Sequence, residues 1–171
     1  HPRVAIKSCH GVGKSAFLSW LTLFWILTRV PSKVPATAPT HHQLQDVLAA
    51  ETQKWARQMP IEWRNLLEFK SDQIRLAGAP DTGVFYRVSR RDTPVALQGF
   101  HSPNLLFVVD EASAIDSIIF ETAAGSLSTP GAKMVLCGNP TQSQGFFYEA
   151  FTKNASRWHT MTVGHADSPM V

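Results

Sequence analysis

Residues Leu105-Leu106-Phe107-Val108-Val109 form an unbroken apolar run that ends on Asp110-Glu111. A strand with no polar alternation can leave neither face in water, so its sheet needs a packed layer on both sides. That is the habit of parallel strands covered by helices, and it argues against a half-solvated antiparallel sheet. A second run of the same kind, residues 133–137 (KMVLC), ends on Gly138-Asn139-Pro140. With 171 residues, 44% of them hydrophobic and 17% charged, the chain can bury such strands in one domain spanning 1–171, with no room for a second large one.

The rest of the chain alternates strands with helices. Residues 3–7 (RVAIK) read as a strand running into the glycine-bearing turn 8–13, and residues 14–29 follow with a helical pattern that is apolar on nearly all sides until Pro31 stops it. Residues 33–38 read as a second strand, short and frayed because of Pro35 and Pro39. Thr40, three residues before Gln43, is a capping-box signature. It opens an amphipathic helix with Leu44, Val47, Leu48, Glu51 and Trp55 at helical spacing, ended by Pro60. Gly78, Pro80, Gly83 and Pro94 break residues 61–100 into loops and small strands such as 84–88. Asp116 is expected to cap a helix over 117–124; residues 146–151 read as a short helix and 158–163 as a last strand with alternating sides. Such alternation predicts an α/β fold with a mostly parallel central sheet flanked by helices.

Several function classes are excluded or bounded. Cys9 and Cys137 lie far apart without metal-type spacing, against a disulfide scaffold or a zinc site. The most apolar stretch, residues 16–30, is short of the ~20 residues a bilayer span needs, so a buried helix is expected and no membrane partner. No signal peptide is recognisable, and the start at His1-Pro2 predicts a fragment of something longer. The net charge of +3 permits contact with an acidic polymer without demanding it. His41, His42, His101, His159 and His165 lack partners at metal spacing and read as surface or capping residues. Trp20, Trp25, Trp55, Trp63 and Trp158 read as core or interface aromatics.

Three segments carry chemistry. Ser8-Cys9-His10-Gly11-Val12-Gly13-Lys14-Ser15, between a strand and a helix, has the context of a phosphate-binding loop, with Ser8 where the usual pattern begins on glycine. Gly11 and Gly13 allow backbone N–H groups to turn toward phosphate oxygens; Lys14 would reach the β- and γ-phosphates of ATP, and Ser15 would offer its hydroxyl to Mg2+. Asp110 is then the second candidate for the Mg2+ shell and Glu111 the candidate base for water, although an acidic pair after a strand also suits a cap on the next helix. Asn139, just past a buried strand, could touch the γ-phosphate or the water; an ordinary Asn-Pro turn has the same spacing.

In order along the chain, K-S-x-H-G-V-G-K-S, T-A-P-T-H-H-Q-L, L-L-F-V-V-D-E-A-S and C-G-N-P-T resemble the ATPase domain of the large terminase subunit, the motor that packages DNA into phage heads. The likeness runs from Val4 to about Phe151, most specifically at Thr37-Ala38-Pro39-Thr40 and Gly138-Asn139-Pro140-Thr141. It implies a three-layer P-loop NTPase fold of the ASCE type, with the coupling strand that ends at Gly138 between the phosphate-loop strand and the Asp-Glu strand. It also implies Mg-dependent ATP hydrolysis that moves double-stranded DNA into a prohead through phosphate contacts. The implied partners are a small terminase subunit, a portal protein and further copies in a homo-oligomeric ring, in the cytoplasm of a bacterial host. An upstream adenine-contacting segment and a downstream nuclease domain are expected to lie outside these residues, so no DNA cleavage is expected. Family motors also use an arginine on the transferring phosphate; Arg87, Arg90 and Arg91 are candidates by clustering, and a solvated or DNA-facing patch is the alternative. The rival functions are a helicase-like or remodelling ATPase, and a nucleotide-binding module without turnover.

Overall fold

The computed structural model describes residues 1–88 and 97–167. Strand β1 (Arg3–Ser8) leads through the glycine turn into α1 (Lys14–Thr28), and β2 (Ser32–Thr37) follows. A π-helical segment, Gln43–Ala49, runs directly into α2 (Ala50–Gln58) and the short α3 (Ile61–Arg64). Then come β3 (Leu67–Lys70), β4 (Gln73–Leu76), β5 (Ala79–Tyr86) and β6 (Asn104–Val109). Helix α4 (Ser117–Leu127), β7 (Lys133–Gly138), α5 (Phe146–Phe151) and β8 (His159–Val163) complete the order.

All eight strands form one sheet in the order β3-β4-β5-β2-β6-β7-β1-β8. The block from β5 to β8 is parallel throughout, and the β3–β4 hairpin extends it antiparallel. Strand β7 lies between β6 and β1, the place where the family resemblance puts the strand ending at Gly138. The apolar runs bury both faces. Along β6, Leu106 and Val108 enter one core, while Leu105, Phe107 and Val109 enter the other. On β7, Val135 and Cys137 face the first core and Met134 and Leu136 the second. Leu18, Ile26, Leu44 and Leu48 from α1 and the π-helical segment close the first layer; Ile119, Phe120 and Ala123 of α4 with Phe147 and Ala150 of α5 close the second. The three-layer α/β arrangement follows from that two-sided burial.

Some expectations need correction. β2 is neither short nor frayed: its six residues sit between β5 and β6, with Val34 and Ala36 fully buried. Pro35 is accommodated because the β6 ladder skips Val34 and Pro35 while the β5 register runs unbroken, so the residue without an N–H stands where no bond is made. The segment read as loops and small strands supplies three members of the main sheet. Thr40 does start the following helix, accepting from Gln43 N at 3.1 Å, but its hydroxyl also donates to Gln43 Oε1, so Gln43 does not reach back to the backbone. That helix opens with π rather than α geometry. Asp116 caps α4 through Ile118 N at 3.1 Å, and α4 runs on to Leu127. Residues 159–162 of β8 are all exposed at the edge of the sheet, whereas the alternation in the sequence predicts one covered face.

Helix α1 is also less enclosed than its composition suggests. Trp25 is buried, but Trp20 and Phe24 stand about half exposed and, with Trp55, Met59 and Trp63, line an open apolar groove between α1, α2 and α3. Trp158 joins the second core, where Phe146 stacks on Phe120 at 4.2 Å. Among the described residues no helix is long and apolar enough to cross a membrane.

Phe107 is 1% exposed at the centre of the second core. Phe107→Ala is expected to cost about 3–5 kcal/mol of stability, read as a lower denaturant midpoint at unchanged slope.

Candidate active site

Register decides what meets at the end of the sheet. Lys7 on β1 pairs with Gly138 on β7, and Val109 on β6 pairs with Leu136 on β7, so the loops after these three strands leave the same edge. In a parallel sheet that carboxyl edge is where ligands bind.

The loop after β1 takes its shape from two glycines. Gly11 and Gly13 have φ of 76° and 87°, the left-handed region that a side chain disfavours. Gly13 O accepts the first helical bond of α1 from Phe17 N at 2.9 Å, which leaves the start of α1 pointing into the loop. Ser8, by contrast, is still in β1 and pairs with Val163. Extended backbone tolerates its Cβ, and this explains why no glycine is needed there.

Lys14 folds back across the loop. Its Nζ donates to Cys9 O at 2.9 Å and to Asn139 Oδ1 at 2.7 Å, and Asn139 is itself buried. His10 lies on the other side of that amide, with Nε2 2.6 Å from Asn139 Nδ2. One residue along α1, Ser15 Oγ donates to Asp110 Oδ2 at 3.2 Å. Asp110 is locked in turn: its backbone N–H donates to Thr37 O at the end of β2, and its Oδ1 accepts from Glu111 N at 2.9 Å. Burial pushes the Asp110 carboxyl above the ordinary carboxylate range and the Glu111 charge adds to this; the N–H of Glu111, the Ser15 hydroxyl and the Lys14 ammonium act against it.

Glu111 itself has φ of 48°, the one positive-φ residue other than glycine among those described. Left-handed backbone at such a residue stores strain of order 1–3 kcal/mol and gathers at functional sites. The turn it makes is held against β7: a Cβ at Gly138 would lie 3.0 Å from Ala112 N and 3.3 Å from Ser113 N. Ser113 Oγ and Thr141 Oγ1 join the two turns again at 3.0 Å. Both residues close motifs quoted from the sequence, LLFVVDEAS and CGNPT, but sequence reasoning gave neither hydroxyl a role.

The sequence candidates Lys14, Ser15, Asp110 and Asn139 are thus within a few ångströms of one another, with His10 and Cys9 beside them. A hydroxyl and a carboxylate 3.2 Å apart are the hard oxygen donors that suit Mg2+, which takes few protein ligands and completes its shell with phosphate and water. Arg87 is elsewhere: its Nη1 pairs with Asp72 Oδ2 at 2.6 Å beside the β3–β4 hairpin. Arg90 and Arg91 lie outside the described residues.

No family model matches the chain. Its sequence is similar to the "Probable terminase, large subunit" of Enterobacteria phage P7, 24% identical over 157 residues, which is 90% of this chain and 32% of that protein. The chain therefore spans about a third of the length of this relative. Its fold is similar to that of the large terminase of a thermophilic bacteriophage in complex with ADP, with TM-score 0.71 and 13% identity over 95% of this chain and 40% of the other. The same terminase in complex with ATP-gamma-S gives TM-score 0.70 and 14% identity, over 99% of this chain and 41% of that one. The ATPase domain of the Thermus phage P74-26 large terminase gives TM-score 0.65 and 19% identity, over 94% and 74%. The chain thus resembles a terminase large subunit in sequence and shares the fold of terminase ATPase domains.

The raised Asp110 pKa carries a sign. Its protonated form favours the folded chain, a contribution complete below the ordinary carboxylate pKa and lost as pH rises through the raised one. Asp110→Asn is expected to melt higher than the parent chain at neutral pH, with the gap closing on acidification, as followed by thermal unfolding across a pH series.

Proposed function

We propose that this chain is the ATPase part of a phage DNA-packaging motor. The observation that carries the reading is the meeting of Lys14 with Asn139 and of Ser15 with Asp110 at one end of the sheet. The sequence and fold likenesses to large terminases support the assignment over other ATPases.

In this reading the loop 8–15 cradles the phosphates of ATP with its N–H groups, and Lys14 leaves Cys9 O and Asn139 to take the β- and γ-phosphate oxygens. Ser15 and Asp110 would hold Mg2+, which when bound neutralises the developing charge on those oxygens. Glu111 accepts a proton from the water that attacks the γ-phosphorus; the bond from that phosphorus to its bridging oxygen breaks, giving ADP and phosphate. Asn139 would change its contacts when the γ-phosphate is lost, and its loop, which leads to α5, would pass that change on. The work is done on double-stranded DNA held by its phosphates, without base readout, in a ring of copies seated on a portal and served by a small subunit in the host cytoplasm. The ion pair of Arg87 with Asp72 would have to open before that arginine could serve a neighbouring site.

Two substitutions test the reading. Lys14→Ala is expected to abolish binding of ATP-gamma-S in a calorimetric titration, and parental affinity would discard the phosphate-loop assignment. Glu111→Gln is expected to bind Mg-ATP yet turn it over at least ~100-fold more slowly in a phosphate-release assay, the usual scale for losing a general base; parental turnover would remove Glu111 from that role.

A further inference from the structure

His10 occupies a loop position where a phosphate cradle makes no demand on the side chain, yet its ring is against the buried amide of Asn139. Asn139 Nδ2 lies 2.6 Å from His10 Nε2 and 3.1 Å from Nδ1. The direction of these bonds follows from chemistry. The Lys14 ammonium has only hydrogens to offer, so the atom of Asn139 that meets it at 2.7 Å has to be the carbonyl Oδ1. The amide NH2 is thereby turned to His10, and the imidazole nitrogen that receives it has to present a lone pair. Cys9 O, Lys14, Asn139 and His10 form one chain of hydrogen bonds that begins and ends within the same loop and passes through Asn139, just beyond the end of the neighbouring strand β7.

We propose that His10 is a positioning residue for Asn139, holding its amide so that Oδ1 occupies the Lys14 ammonium when no phosphate does. This rests on the reading of the site as a nucleotide pocket. The chain of bonds is then a latch competing with phosphate for one ammonium, and a nucleotide opens it by taking Lys14 away. Once Lys14 leaves, the bond to His10 still fixes which end of the amide faces the pocket, so His10 also sets the atom that Asn139 would present to a γ-phosphate, a group ADP lacks.

The test is a double-mutant cycle on ADP affinity, measured by calorimetry on the full chain. His10 is exposed on its loop, so removing its ring leaves both cores untouched. His10→Ala is expected to tighten ADP binding about two- to tenfold, the scale of one hydrogen bond lost from the competing latch. Asn139→Ala should do the same, and the double variant should match Asn139→Ala alone, because His10 acts only through that amide. His10→Gln, which keeps an acceptor, should return affinity to within about twofold of the parent. Independent, multiplying effects of the two substitutions would overturn the proposal, as would a His10→Ala variant that weakens ADP equally with and without Asn139, the mark of direct contact with the nucleotide. A parent chain that binds no ADP would overturn the proposed function and this inference together, whereas a parent that binds ADP with an additive cycle would overturn the inference alone.

Discussion

The site depends on register. Three parallel strands, β1, β7 and β6, are held in step so that the glycine loop, Asn139 and the acidic pair leave the sheet together. A slip of one residue would turn every side chain of the slipped strand to the opposite face, moving Phe107 or Met134 out of one core and into the other. The same two-sided burial that stabilises the domain therefore fixes the distance from Lys14 to Asn139 and from Ser15 to Asp110. No separate device is needed to align the functional groups, because misalignment would expose or overpack the core.

Around that frame the contacts are short and local. Asp110 is tied to β2 through Thr37 O, to its own neighbour through Glu111 N, and to α1 through Ser15. Glu111 accepts left-handed backbone so that the chain can turn sharply away, and the close approach of Gly138 to Ala112 and Ser113 leaves no slack between this turn and the end of β7. The acidic pair and Asn139 are thus carried on two turns packed against each other, while Lys14 and His10 reach Asn139 from the other side.

The parts legible in the sequence are those governed by local pattern. The runs at 105–109 and 133–137 announce buried strands, Gly11 and Gly13 announce the loop, and Asp116 announces its helix start. What stayed hidden depends on partners distant in sequence. Pro35 reads as a breaker unless one knows that β6 makes no ladder bond to Val34 and Pro35. The alternation of β8 suggests one covered face, yet its edge position leaves residues 159–162 in water. His10 looks like any loop residue until Asn139, contributed from β7, is placed beside it, and Arg87 looks free until Asp72 is seen to pair with it.

The π-helical turns at Gln43–Ala49 set a rotary phase. A π segment closes its hydrogen bonds one residue later than an α-helix, and each residue so inserted delays everything downstream by about 100° of azimuth. With that delay, Thr52 meets Ser19 hydroxyl to hydroxyl at 3.0 Å, and Trp55 meets Trp20 edge-on at 4.9 Å. Helix α2 is keyed to α1 by its angular setting as much as by its composition, so a one-residue deletion between 43 and 49 would swing the tryptophan seam off its mate without altering a single residue of α2.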